Sequence, residues 1–291
     1  MKLRDLNYLV AVAQTLHFGK AAQMTHVSQP TLSVQLKKLE DRLGVTLVER
    51  NNKNVRLTPA GIVIAQKAQR ILQDIDAIKT YAKTVQDPLT GDLHLGIIPT
   101  LGPYLLPQMI QNLHNQLPKL SLWLHEDQTQ DLLHEIQNGD LDLAIVALPI
   151  SIDSLTVIPL FTEPFYFAVN HKNPLAKKKS LALSDIVDEK ILLLADGHCL
   201  RDQALAVCHN IQTAHQGDFQ ATSLETLRHM VAQNLGSTLM PKLAAQTSNA
   251  NVCYIPFKNP APYRQLGLVF RNTHVRFELF NEIAKIISKC Y

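Results

Sequence analysis

Apolar residues return every three or four positions through the first sixty residues, in short runs separated by polar breaks. In RDLNYLVAVAQTL, Leu6, Leu9, Val10 and Ala13 share one helical face. FGKAAQMT gives a second short helix and SQPTLSVQLKKLEDRLG a third, with Leu32, Leu36, Leu39 and Leu43 as its buried stripe. Ser28 is placed to cap the third helix, Pro30 suits its first turn and Gly44 its end. That stripe leaves Gln29, Pro30, Thr31, Ser33, Gln35, Lys37 and Lys38 at the exposed side and first turn. TLVERNNKNVRLTPAG then reads as two extended runs around the turn-rich Asn51-Asn52-Lys53-Asn54, the outline of a wing.

From Thr58 and Pro59 a helical pattern (Ile62, Ala65, Ala68, Ile71, Leu72, Ile75, Ile78, Ala82) runs to about Gln86 and stops at Asp87-Pro88. A helix approaching thirty residues exceeds what a small domain needs and reads as a dimerising linker. Beyond Gly91 the period alternates between strand and helix: DLHLGIIP, LLPQMIQNLHNQL, LSLWLHE, TQDLLHEIQNG and DLDLAIVAL. A second such set runs from about Phe161 through ILLLADG, LRDQALAVC, FQATS, LETLRHMVAQNLG and STLMP, before LGLVFR and a closing helix, FELFNEIAKIISK. Alternation of this kind predicts parallel sheet with covering helices, in two α/β lobes joined by crossing strands with a cleft between them. The expected divisions are 1–58 for the head, 59–87 for the linker helix and 88–291 for the lobed region. Lobe I takes about 88–161 and 266–291, lobe II about 162–265.

Composition changes this picture in one place. The 291 residues are 46% hydrophobic and 18% charged with a net charge of +3, ordinary for a globular chain. Residues 1–60, however, hold nine basic groups against four acidic ones, a balance of +5 that leaves −2 for the other 231. A basic head on a near-neutral body predicts a polyanionic partner. No secretory signal or membrane-length apolar run is seen, so a cytoplasmic protein is expected, in a compartment that keeps thiols reduced.

Helix, tight turn, capped helix and basic wing make a winged helix-turn-helix, whose second motif helix enters the major groove. The stretch FGKAAQMTHVSQPTLSVQLKKLEDRLGVTLVER resembles the LysR family of regulators over residues 1 to 65. The resemblance implies base contacts by Gln29, Pro30 and Ser33 on double-stranded promoter DNA. It also implies phosphate contacts by Thr31, Arg50 and neighbouring wing residues such as Lys53, and dimerisation through the long helix. A plain three-helix bundle with solvated charges is the competing reading.

DGHCLRDQALAVCHN, residues 196–210, carries two of the four cysteines, flanked by His198 and His209. A disulfide, a metal site, a reactive thiol with its partner and coincidence all fit the bare spelling. If the segment is helical, nine residues span about 13.5 Å, whereas a disulfide needs Cα atoms within roughly 4.4–6.8 Å. The pair then closes only if the helix unwinds. Cys199, expected just before that helix between His198 and Arg201, has the placement of a thiol with a lowered pKa. Cys208 should face a core. Structural zinc ligands usually sit two to four residues apart, so no metal site is expected. Cys253 and Cys290 read as inert.

Together with IPTLGPYLLP, LHEDQT and FQATSLETLRHMV, this segment resembles the peroxide-sensing members of the same family along nearly the whole chain. The resemblance implies an N-terminal winged helix-turn-helix and linker helix followed by a two-lobed α/β regulatory domain like periplasmic binding proteins. It makes Cys199 the peroxidatic and Cys208 the resolving thiol, and it lines the peroxide site with Thr100, Thr129, His198, Arg201 and Asp202. Arg264 matches a thiolate-stabilising arginine. Hydrogen peroxide, RNA polymerase and a homotetramer built as a dimer of dimers follow as partners, with no cofactor and no enzymatic role. Other uses of these residues stay open: Thr100 after Pro99 also suits a helix cap, Asp202 a first-turn carboxylate, and Arg201 a partner of that acid. Asp218 stands where a histidine near the thiol is the family expectation, and the chain stops soon after the closing helix. Rival functions are a regulator that binds a metabolite between the lobes with its thiols incidental, and a thiol peroxidase or transport-type binding protein.

Overall fold

The computed structural model describes residues 1–51, 54–84, 89–210, 215–247 and 249–291, without the side chains of 50, 51, 54, 77, 80, 81, 83, 84, 208–210 and 215–220. It divides into two units, Met1–Gln86 and Asp87–Tyr291.

In the first unit, α1 (Leu3–Thr15), α2 (Phe18–Met24) and α3 (Gln29–Leu43) precede a hairpin of β1 (Val48–Asn51) and β2 (Asn54–Leu57), and α4 (Pro59–Thr84) follows. The expected stripes form the core: Leu9, Leu32, Leu36 and Leu39 are fully buried with Phe18, Ala21 and Leu47. Leu43 is a correction, because it lies exposed in the last turn, where Gly44 turns the chain away in the left-handed region. Ala68 of α4 packs on Leu6 and Val10 of α1, while Ile62, Ile71 and Ile78 remain exposed. Ser28 accepts the N–H of Thr31 as the expected cap, and Thr58 Oγ1 accepts that of Gly61. The tie between helix and wing is Glu40, buried in α3, whose carboxylate accepts the backbone N–H groups of Leu47 and Val48 at 2.8 and 3.1 Å.

The second unit holds β3 (Gly91–Ile97), α5 (Gly102–Gln116), β4 (Leu120–Glu126), α6 (Thr129–Asn138), β5 (Leu143–Leu148) and the 16-residue β6 (Leu155–Asn170). β7 (Ile191–Leu194), α7 (Cys199–Asn210), β8 (His215–Ala221), α8 (Leu224–Ala232), β9 (Thr238–Pro241), α9 (Lys242–Ala245), β10 (Val252–Pro256), β11 (Tyr263–Arg271) and α10 (Phe277–Ser288) complete it. The sheet order is β10-β6-β11-β5-β3-β4, with β9 also on β6 and a separate β7-β8 pair. β3 runs parallel to β4 and β5, but β11 is antiparallel to both β5 and β6, and β6 to β9 and β10. The sheet is therefore mixed rather than parallel. A strand pattern tells which residues face inward, not which neighbour the chain returns beside.

Two apolar cores result. One gathers β3, β5, α5, α6 and α10; the other gathers the far half of β6 with β7, α8 and β9. β6 and β11 cross from one to the other. Three side chains overlap the boundary: Cys199 and Leu243 pack on the first core, and Tyr104 of α5 on the second.

Candidate functional site

Cys199 is the first residue of α7 rather than the residue before it. The turn that presents it needs Gly197, whose φ is +91° and whose missing Cβ would collide with the side-chain amide oxygen of Gln128. Thr129, next to Gln128, opens α6. Its hydroxyl is buried with no hydrogen-bond partner of normal geometry among the described residues, and its dipole favours the ionised form of Cys199.

Arg264 approaches the same thiol from β11 and is almost fully buried. Its Nη1 donates to Thr100 Oγ1 at 2.9 Å, its Nη2 to the Thr100 carbonyl at 3.1 Å, and its Nε to Glu163 Oε2 at 2.7 Å. Thr100 is thus no helix cap: it is buried between β3 and α5 and accepts from the guanidinium, leaving its own O–H free to donate.

The thiol itself departs from expectation. Burial pushes Cys199 up, and the Arg264 charge, the Thr129 hydroxyl and the Leu200 N–H offset this only in part, while Asp202 opposes them. The helix start and flanking basic residues had predicted the reverse. The reason is that Cys199 is turned into the first core, where the cost of desolvating a thiolate outweighs one guanidinium.

Of the other expected residues, His198 is buried and held neutral by desolvation. Arg201 is occupied elsewhere: its Nη1 donates to the Leu194 carbonyl at 2.8 Å and its Nε pairs with Asp196 at 2.9 Å, not with Asp202. Asp202 is exposed in the first turn of α7, where a carboxylate complements the helix dipole. The backbone of α7 runs helical from Cys199 through Cys208 to Asn210. That keeps the two cysteine positions about 13.5 Å apart. The side chains of Cys208, His209 and Asp218 lie outside the described set, as do that of Arg50 and the whole of Lys53.

At the first turn of α3, Gln29, Pro30 and Thr31 are exposed and Ser33 is half-buried. Lys37 and Lys38 are exposed further along, with Lys37 3.8 Å from Asp41. Sequence reasoning missed Glu163, Gln128 and Glu40. Glu163 had a signal, a lone acid in the aromatic strand FTEPFYFAV.

Among the described residues, one group of three metal-type donors lies together, His125, Asp127 and Glu135. His125 meets the two acids through different ring nitrogens, Nδ1 to Glu135 at 3.0 Å and Nε2 to Asp127 at 3.8 Å, an imidazole bridged between carboxylates.

A DNA-reading head and a two-lobed domain with a buried thiol define a class of transcriptional regulator, and the comparisons agree. Residues 3–62 match the bacterial regulatory helix-turn-helix protein, lysR family, and residues 86–287 the LysR substrate binding domain. The chain belongs to the LysR family. It is 46% identical over 273 residues to a hydrogen peroxide-inducible genes activator of Pectobacterium carotovorum, covering 93% of this chain and 90% of that protein. It is 43% identical over 289 residues to the DNA-binding transcriptional dual regulator OxyR of Escherichia coli K12, covering 99% and 95%. Full-length OxyR C199D from Pseudomonas aeruginosa matches with a TM-score of 0.81 at 39% identity, over 99% of this chain and 94% of that one. No helix among the described residues is long and apolar enough to cross a membrane.

Proposed function

We propose that the protein is a peroxide-responsive transcriptional regulator whose switch is Cys199. The observation that carries this reading is the buried Thr129 hydroxyl, which lacks a well-formed hydrogen bond and turns its dipole to a thiol that also feels Arg264. An orphaned polar group in a dry site calls for a small polar ligand. Hydrogen peroxide is small enough to satisfy it while lying against the sulfur.

In the reaction, the Cys199 sulfur attacks one peroxide oxygen and the O–O bond breaks. The sulfur becomes a sulfenic acid, and the departing oxygen leaves as water after taking the thiol proton. Burial raises the proton affinity of the resting thiol, so the proton that ends on the leaving oxygen comes from Cys199 itself. Thr100 and Thr129 donate to the peroxide oxygens, neutral His198 relays the proton, and Arg264 stabilises negative charge on sulfur. Arg201 and Asp202, in the first turn of α7, border the site, Arg201 fixing the turn through Leu194 and Asp196. Cys208 then attacks the sulfenic sulfur, a second water leaves, and a disulfide forms. Since α7 holds these positions apart, closing the bond requires the helix to unwind.

The unwinding is transmitted to a head (1–58) that reads promoter DNA through Gln29, Pro30 and Ser33. Thr31, Arg50 and Lys53 hold phosphates, the linker helix (59–87) dimerises, and residues 88–291 sense. The exposed Ile71 and Ile78, seven residues apart and so on one side of α4, supply an apolar face for that dimerisation. A dimer of dimers in the cytoplasm, engaging RNA polymerase as an activator, completes the reading.

Promoter binding measured across a salt series, with reduced and peroxide-treated protein, tests it. Arg50→Ala should lower the salt slope by about one. Ser33→Ala should weaken binding by roughly 1–3 kcal/mol at every salt concentration. The footprint should change on oxidation. Unchanged affinity in both variants, or one footprint for both redox states, would overturn it.

A further inference from the structure

We propose that Glu163 is a positioning residue for the Cys199 thiol, aiming the Arg264 guanidinium and tempering its charge. The inference rests on the reading of Cys199 as the reactive group. Its basis is strand register. Glu163 on β6 stands directly opposite Arg264 on β11, where the two strands cross between the cores, so both side chains leave the same face of the sheet. Both side chains have no exposed surface. A buried guanidinium without a counter-charge is costly, and a flexible one would not hold a fixed position against a thiol.

Glu163 answers both requirements. Its Oε2 accepts from Arg264 Nε at 2.7 Å, while its Oε1 accepts the backbone N–H of Leu243 at 2.7 Å and is thereby anchored. Thr100 holds the opposite side of the guanidinium through its hydroxyl and carbonyl. Leu243, Glu163, Arg264 and Thr100 therefore form one continuous chain of hydrogen bonds from α9 to the turn after β3. Cys199 lies at its working end, where Arg264 is the strongest influence favouring the thiolate. Thr129 from α6 and Asp202 from α7 also act on the thiol, and the Tyr291 phenol, near Tyr166, feels both Glu163 and Arg264.

The charges set the sign. Glu163 offsets part of the field that Arg264 exerts on sulfur. Removing its charge while keeping its shape leaves that field undiluted. The test is alkylation of full-length reduced protein by iodoacetamide across pH, read at Cys199 by peptide mass spectrometry. Glu163→Gln should move the Cys199 midpoint down by about one pH unit, a tenfold faster reaction on the acid side. In an Arg264→Gln background the same substitution should move nothing, because a carboxylate fully buried without its guanidinium takes up a proton and leaves no charge to remove. A midpoint unmoved by Glu163→Gln in folded protein, or an equal shift without Arg264, would overturn the proposal.

Should the variant not fold, NMR of arginine-labelled wild-type protein serves. The Arg264 Nε–H should be a slowly exchanging, carboxylate-bonded signal that shifts as Cys199 titrates. A rapidly exchanging signal, or one indifferent to Cys199, would overturn the proposal. Adding peroxide separates the two claims. If wild-type Cys199 stays unlinked to Cys208 while the midpoint still shifts, the sensing reading fails and the positioning role stands. If linkage occurs and the midpoint does not move, the reverse holds.

Discussion

Cys199 combines two properties that pull against each other. Burial keeps the thiol protonated, which protects it from incidental oxidation, and a few fixed dipoles and one guanidinium lower the barrier to losing the proton when a ligand arrives. Thr129 measures that balance. Its hydroxyl, buried without a well-formed hydrogen bond, costs stability and gives the site its polar contact to Cys199. Thr129→Val should therefore raise stability by about 1 kcal/mol, the usual scale for removing an unsatisfied buried hydroxyl. The same change should shift the alkylation midpoint of Cys199 further up, slowing the thiol roughly threefold to tenfold near neutrality. Denaturant unfolding and site-resolved alkylation check the two halves; a stability loss with an unmoved midpoint would mean that the hydroxyl does not face the thiol. At this scale the resemblance around DGHCLRDQA and the strand ends supplied the candidates, and the structure sets Thr129 and Arg264 beside Cys199 and joins Thr100 to Arg264. It did not show the sign of the thiol shift, because burial is a product of the whole fold, whereas flanking histidine and arginine are visible in the string.

The elements explain why those residues meet. Thr100 and Thr129 sit where β3 gives way to α5 and β4 to α6, the carboxyl ends of strands. Arg264 arrives on a crossing strand, and Cys199 at the start of a helix from the other core. The hinge of this arrangement is Gly197, at positive φ against Gln128. Gly197→Ala strains the backbone at positive φ and displaces the Gln128 side-chain amide, at a cost of about 1–3 kcal/mol, most of it from the backbone. Turning α7 out of place should also slow disulfide formation at least tenfold; timed thiol trapping after a peroxide pulse reads this, and a wild-type rate would show that the turn does not position the thiol. Alternating periodicity made the order of strands and helices legible, and capping residues marked α3 and α4. The antiparallel returns of β6 and β11 were not legible, since a strand's partners are set by topology. With them went the Glu163–Arg264 pair, which exists only in the register between those strands. Leu43 was misread for a similar reason: helical phase puts it on the stripe, but Gly44 ends the helix before anything covers it.

For the molecule as a whole, a basic reading head and a thiol-bearing two-lobed unit share one chain, joined through a helix that leaves isoleucines exposed. Charge asymmetry and the Ser28 to Gly44 pattern made the first legible, and the resemblance around Cys199 made the second legible. The spacing of Cys199 and Cys208 already suggested a switch if the segment is helical, and α7 is helical from one cysteine position to the other. On the proposed reading, that continuous helix gives oxidation a structural consequence: a Cys199–Cys208 bond forms only if the helix between them is rebuilt. Intact-mass measurement with peptide mapping, before and after mild peroxide, addresses this most directly. The account predicts a loss of two hydrogens, a Cys199–Cys208 link, and loss of both in Cys199→Ser; wild-type thiols that remain free under the same peroxide would contradict it.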